Sequence, residues 1–212
     1  MNADREGLTG LPVNLLVRDR HCVVVGAGRI AARKVDSLLA VGARVTVVAP
    51  DVGEELRERA ARGEVTLVTR PFEPSDVDDA WLVITATDDP AVNTSVFEAC
   101  ESARVWANSA DDPANCSYTL MSTVRRSDIV VAIGTGGRSP ALAKHLRQTL
   151  AATVGPEYET LLELLSTERE AMRAAGRSSE DADWQKLFDS GIVEMVREGR
   201  LEDARELLRT CL

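Results

Sequence analysis

A chain of 212 residues with 44% hydrophobic side chains is long enough for one sizeable domain plus an appendage and can bury a core, which excludes intrinsic disorder. Its 25 basic and 34 acidic side chains leave a net charge of −9, which argues against a general affinity for nucleic acid or anionic membranes. The charge is uneven: residues 151–212 hold 14 acidic against eight basic side chains, whereas within 125–147 Arg125, Arg126, Arg138, Lys144 and Arg147 are opposed by Asp128 alone.

Taken in chain order, Val13 to Val17 and then Cys22 to Val25 read as strands, the second an unbroken apolar run of the kind buried on both faces of a parallel sheet. A helix pattern follows through Ile30, Val35, Leu38 and Leu39 and stops at Gly42, after which Arg44 to Ala49 is the next strand. Residues 52–62 predict a polar helix, Val65 to Val68 a third strand, Pro71 to Asp79 a loop, and Trp81 to Ala86 a fourth strand. Asp89 to Cys100 then predicts a helix and Val105 to Asn108 a fifth strand. Alternating strand and helix means βαβ units, hence a doubly wound parallel sheet with right-handed crossovers.

Beyond residue 110 the rhythm changes. Tyr118 to Val124 and Ile129 to Ile133 predict two strands joined by a charged turn, with no helix between them, so an antiparallel hairpin is expected. From Ser139 nearly everything is helical: Leu142, Leu146 and Leu150 recur every four residues, and later stripes run through Tyr158, Leu161, Leu165 and Met172, then Leu187 and Phe188, then Leu201, Ala204 and Leu208. Gly176 to Glu180 is read as a turn between two of these helices. No stretch approaches the roughly 18 apolar residues that a bilayer span needs. The opening segment lacks the basic-then-apolar layout of a signal peptide, so a cytoplasmic chain is expected. Cys22, Cys100, Cys116 and Cys211 are widely separated, which favours buried reduced thiols over a disulfide framework or a zinc site.

Four segments have the composition to carry chemistry. Gly26-Ala27-Gly28-Arg29-Ile30-Ala31 follows a buried strand and opens a helix, where a dinucleotide-binding G-x-G-x-x-G/A fingerprint belongs. Gly26 would permit the tight turn, Gly28 the approach of a pyrophosphate, and Ala31 close helix packing; the plainer reading is a turn that merely needs glycine. At the end of the second strand either Asp51 or backbone groups around Pro50 would hold the ribose, and the absence of a nearby arginine favours NAD over NADP. Thr87, Asp88 and Asp89 end the fourth strand, and Asn108 to Pro113 the fifth, both at carboxyl ends where open α/β sheets bind ligands. Asp88 and Asp89 serve equally well as helix caps. Asp111 has no following helix to cap, and a carboxylate there would suit a general base. Gly134 to Pro140 is a glycine-rich loop without the closing Gly-Lys-Ser/Thr of a P-loop. With Gly136, Gly137, Arg138 and Ser139 it is either a site for a carboxylate-bearing ligand or an ordinary cap and turn.

Taken together, residues 11–50, ITATDDPAVN and the run from Val105 to Leu150 resemble the precorrin-2 dehydrogenases, stand-alone enzymes related to the N-terminal half of siroheme synthase. The resemblance runs from residue 11 to about 153; beyond 155 it holds in general character only. The T-D-D-x-x-V-N, N-x-x-D-x-P and G-G-x-S-P motifs carry more of it than the glycine fingerprint does.

The resemblance implies oxidation of precorrin-2 to sirohydrochlorin, with NAD⁺ taking a hydride. Arg29, Ile30, Pro50, Asp51, Thr87 and Asp88 would contact the cofactor, and Asp111 would be the acid/base residue. It also implies a homodimer through the hairpin and the first helix after it, and puts Thr135 where some relatives carry a modifiable serine. Residues 1–115 are accordingly expected to form a Rossmann-type NAD-binding domain, 116–153 a dimerisation and substrate-binding segment, and 154–212 a helical domain. Precorrin-2 carries eight carboxylates, so a chain of net charge −9 needs local basic groups to receive it. Asn108, Arg125, Arg126, Gly136, Gly137, Arg138 and Ser139 are the expected substrate contacts. Two other readings are an added capacity to insert Fe²⁺ into the product, without any preformed metal site in the sequence, and a non-catalytic NAD-sensing module. No recognition helix points to DNA.

Overall fold

The computed structural model describes residues 10–178 and 183–211, and its chain falls into two compact units that divide between residues 120 and 121. The hairpin and the helices after it fall in the second unit.

The first unit is a five-stranded sheet in the order β3-β2-β1-β4-β5, every neighbouring pair parallel. Its strands are β1 (His21–Val25), β2 (Arg44–Val48), β3 (Thr66–Val68), β4 (Leu82–Thr85) and β5 (Trp106–Ser109). Its helices are α1 (Arg29–Leu39), α2 (Glu54–Ala61) and α3 (Pro90–Ala103). Val23 and Val24 of β1 and Val83 of β4 are fully buried, as expected of strands covered on both faces. Alternate β1 residues feed separate cores. Cys22 and Val24 pack with Ala31, Val35 and Leu38 of α1, while Val23 and Val25 pack with Val96 and Cys100 of α3. A right-handed crossover on each face produces this arrangement.

Two segments depart from the sequence reading. Val13 to Val17 has the composition of a strand but, among the described residues, pairs with no other segment: β2 and β4 occupy both edges of β1, and the chain enters the sheet only at His21. Leu11 and Leu16 are consequently 85% and 78% exposed. The expected loop at 71–79 contains a 3-10 turn, Pro74–Val77, closed by a capping box of Glu73 and Asp76. Arg70 grips Asp76 through both terminal nitrogens, at 2.9 and 2.6 Å.

The second unit begins with the antiparallel hairpin β6 (Ser122–Arg126) and β7 (Ile129–Ile133). β6 starts later than Tyr118 because residues 117 and 118 instead hydrogen-bond the Ala107 carbonyl at the free edge of β5. Helices α4 (Pro140–Thr153), α5 (Glu157–Ala174), α6 (Trp184–Asp189), α7 (Ile192–Arg197) and α8 (Leu201–Cys211) follow. The last four share a core of Leu161, Met172, Leu187, Ile192, Val196, Ala204 and Leu208. The turn expected at 176–180 lies partly outside the described residues, at Ser179 and Glu180.

Leu187 is fully buried in that core. Leu187→Ala is expected to lower the unfolding free energy of the helical unit by about 2–5 kcal/mol, read by urea denaturation with circular dichroism.

Candidate active site

The chain reverses its progress across the sheet between β1 and β4, so their carboxyl ends open a crevice where α/β sheets bind ligands. Gly26 ends β1 at φ 105°. A Cβ there would run into the Ala86 carbonyl, whose carbon lies at 2.8 Å, and its own amide is held by Val48 O at 2.9 Å. Gly28 is the reverse case: a Cβ there meets nothing within 4 Å. It is the N-cap of α1, and no side chain caps the helix. The first helical bond runs from Ala32 N to Gly28 O at 3.0 Å, so the amides of Arg29, Ile30 and Ala31 have no intrahelical acceptor. Uncapped amides at a positive helix end, with open space above the glycine, fit a diphosphate.

The β2 end lies against this loop. Gly53 donates its amide to Ala27 O at 3.2 Å, and a Cβ on Gly53 would approach the same oxygen at 3.1 Å. The sequence places Gly53 inside the helix expected over 52–62, where nothing marks this contact; in the structure it is the N-cap of α2. The contact leaves Pro50 and Asp51 exposed at the rim.

At the β4 end, Thr87 Oγ1 donates to Asn93 Oδ1 at 2.8 Å and Asn93 Nδ2 donates back to the Thr87 carbonyl at 3.4 Å. Asp89 is the N-cap of α3 and accepts from Ala91 N and Val92 N at 2.8 and 3.4 Å. Of the two acids, Asp89 is the cap, and Asp88 stands exposed beside it.

At the β5 end the chain wraps around a sulfur. Cys116 Sγ accepts from Ser109 N at 3.2 Å and from Asn108 Nδ2 at 3.6 Å, and lies 3.3 Å from the Asp112 carbonyl. Asn108 Nδ2 also donates to Tyr118 O at 3.0 Å. The Asn108 amide nitrogen is therefore committed to shaping the loop. Ser109 Oγ and Tyr118 OH are buried without a hydrogen-bond partner, and burial pushes the tyrosine hydroxyl above its ordinary range. Asp111 stands exposed at the apex of the loop in the left-handed region, φ 60°.

Lys34, half-buried on α1, lies within electrostatic reach of Asp111. Burial and the neighbouring Arg33 pull its ammonium below the usual lysine range, while Asp111 and Cys116 pull the other way. Cys22 and Cys100 are buried thiols pushed up to about 11 and about 12, so neither is a nucleophile near neutral pH.

In the second unit the expected substrate contacts separate. Arg125 and Arg126 lie at the turn end of the hairpin, opposite Val130 and Ile129, while Gly134 to Ser139 follows Ile133 at the other end. Four residues of strand, roughly 13 Å, intervene. Arg126 is engaged within the unit: its Nε donates to Val154 O at 3.1 Å and its Nη2 to Ala151 O at 3.2 Å, closing the carboxyl end of α4. In the loop, Gly136 and Gly137 take left-handed backbone at φ 60° and 76°. Thr135 Oγ1 accepts from Ser139 N at 3.3 Å, and Ser139 Oγ caps α4 by accepting from Leu142 N at 3.2 Å. Arg138 is exposed.

The sheet order and the first unit's crevice define a dinucleotide-binding α/β domain. The family described as putative NAD(P)-binding matches residues 13–122, more than half of the chain, and the chain belongs to it. A nicotinamide cofactor follows for this crevice. Siroheme synthase of Nitrosococcus oceani is 35% identical over 204 residues, covering 95% of this chain and 44% of that protein. Siroheme synthase of Nitrosospira multiformis is 38% identical over 206 residues, covering 93% of this chain and 43% of that protein. The chain thus spans less than half the length of these curated relatives. Among solved structures, SirC, a precorrin-2 dehydrogenase, is similar at a TM-score of 0.75 and 26% identity, covering 95% of this chain and 98% of that one. The motif-based resemblance is borne out, and it extends past residue 153 into the helical region.

The two glycines separate folding from binding. Gly28→Glu is expected to keep the melting temperature within a few degrees while weakening nicotinamide-dinucleotide binding by at least about tenfold in calorimetry. Gly26→Ala should lower the melting temperature itself, because backbone occupies the added carbon's place.

Proposed function

We propose that the chain is an NAD-dependent precorrin-2 dehydrogenase that oxidises precorrin-2 to sirohydrochlorin in modified tetrapyrrole synthesis. The observation that carries this reading is Asp111. Its exposed carboxylate stands on the loop after β5, on the same sheet edge as the Gly26–Gly28 turn and one strand from β4. The nicotinamide ring, when bound, supplies the hydride acceptor.

The chain's own residues do the rest. The α1 amides and Gly28 receive the diphosphate, with Arg29 and Ile30 flanking it. Pro50 and Asp51 line the ribose; a carboxylate and no arginine at that rim favours NAD over the phosphorylated cofactor. Thr87 and Asp88 border the nicotinamide end, and the Asp111 carboxylate takes the proton that leaves the macrocycle. Acidic arms of the substrate pair with Arg138 and the amides of Gly136 and Gly137, with Arg125 as an outlying contact. Asn108 acts by holding the Asp111 loop.

A homodimer goes with this reading. α4 carries Leu142 and Leu146 on one stripe, 48% and 37% exposed, and Val130 of β7 is exposed in the same unit. Its four free cysteines suit a reducing compartment, and a cytoplasmic location is part of the proposal. Among the described residues no helix is long and apolar enough to cross a membrane.

Asp111→Asn is expected to lower kcat for precorrin-2 oxidation by about 10²-fold or more while NAD affinity stays within twofold. Anaerobic absorbance change to sirohydrochlorin is the measurement, and normal turnover in the variant would refute the assignment. For the dimer, Leu146→Glu should convert a species of twice the chain mass to one of 22.9 kDa in light scattering. A wild-type chain that already runs as a monomer would remove the dimer from the proposal.

A further inference from the structure

We propose that Asn93 is a positioning residue for the nicotinamide end of the cofactor site, its side-chain amide clasping the turn after β4 from which Thr87 and Asp88 face the ligand. The inference rests on the reading that sets that end of the cofactor beside β4, and it assigns one more residue to the same site.

The residue is out of pattern where it stands. The buried positions of α3 are Asn93, Val96 and Cys100, a single helical stripe in which Asn93 is the polar member. Val96 and Cys100 pack with Val23 and Val25 of β1, while Asn93 sits in the first turns of the helix, just after the carboxyl end of β4. It is only 7% exposed. A buried carboxamide costs free energy unless its polar atoms are met, and an aliphatic side chain would fill the same place without that cost. What Asn93 bonds therefore matters more than what it fills.

Both ends of the amide go to one residue. Thr87 Oγ1 donates to Asn93 Oδ1 at 2.8 Å, and Asn93 Nδ2 donates to the Thr87 carbonyl at 3.4 Å. The same hydroxyl accepts from Asp89 N at 3.3 Å, so the chain is tied on both sides of Asp88, whose carboxylate is left exposed. The other branch of Thr87 faces the glycine turn: a Cβ on Gly26 would lie 3.2 Å from Thr87 Cγ2. Through one threonine, Asn93 thus fixes the turn that carries Asp88 against the turn that opens α1. A turn ordered in advance leaves the ligand less to order on binding, which raises affinity without any added contact.

Calorimetry on the full chain with NADH, and with ADP-ribose, which lacks the nicotinamide ring, tests the assignment. Asn93→Leu is expected to raise the Kd for NADH by about tenfold, the scale of a lost hydrogen bond, and to leave that for ADP-ribose within about twofold. A general loosening of the fold would weaken both ligands alike. Thr87→Val keeps the methyl branch and removes the hydroxyl, and should show the same selective loss. Because the two substitutions break one contact, together they should weaken NADH by no more than about twofold beyond the larger single effect. Should Asn93→Leu fail to fold, Asn93→Ser replaces it, being polar but too short to reach both Thr87 groups. A second measurement needs no ligand: Asn93→Leu should speed amide hydrogen exchange at Asp89 by about tenfold.

Equal weakening of NADH and ADP-ribose, an unchanged NADH affinity in the Asn93 variant, or effects of Asn93→Leu and Thr87→Val that multiply overturns the proposal. So does an unmoved exchange rate at Asp89. A wild-type chain that binds ADP-ribose as tightly as NADH, or binds neither, removes the reading on which the inference rests, and the Asp89 exchange rate then upholds or overturns the clasp by itself.

Discussion

The close approach of β1 and β4 at their carboxyl ends is the constraint on which the cofactor crevice depends. Gly26 and the Ala86 carbonyl meet so tightly that a Cβ has nowhere to go, and the obstacle is main chain, which no rotamer change can move. One backbone hydrogen bond spans the approach, Ala86 N to Val25 O at 2.8 Å, while Gly26 N is tied on its other side to Val48 O of β2 at 2.9 Å. From that point α1 leaves across one face of the sheet and α3 across the other, and the crevice is the gap they leave. The same turn presents the uncapped end of α1, so the tolerance that builds the fold also builds the anion site.

The two longer motifs work less directly than their composition implies. In T-D-D-x-x-V-N, Thr87 and Asn93 bond each other and Asp89 caps α3, so three of the named residues hold the backbone from which Asp88 projects. In N-x-x-D-x-P, Asn108 reaches across to Tyr118 and shares Cys116 with Ser109, so the motif's asparagine shapes the loop and its aspartate is what the loop displays. Most of these side chains fix the position of a few. Such networks gain strength in a low-dielectric interior, where an unmet polar group is also most costly.

How far the sequence reveals this follows from the range of each interaction. The buried run Cys22 to Val25, the α1 stripe and the N-cap at Ser139 depend on neighbours within a few residues, and periodicity exposes them. Val13 to Val17 has the same local signature and forms no strand, since β1, the strand it leads into, is already flanked by β2 and β4, and only topology says so. Arg126 is a comparable case. Read along the chain it joins a basic cluster; in space it meets the carbonyls of Ala151 and Val154, 25 and 28 residues away.

The same distinction changes what the net charge of −9 means. Part of the acid after residue 151 is met locally: Glu157 pairs with Arg197 at 2.6 Å, Glu198 and Asp203 with Arg200, and Glu202 with Arg205. The outer pairs are solvent-exposed and contribute little to stability, but they shorten the reach of the acid's field. The basic segment 125–147 is likewise not one patch, because the hairpin puts Arg125 and Arg126 at one end and Arg138 at the other. A polycarboxylate approaching within a Debye length, about 8 Å at physiological salt, responds to the groups nearest it rather than to the sum. For such a ligand the exposed guanidinium of Arg138 beside two left-handed glycines counts for more than a net figure that includes residues paired among themselves.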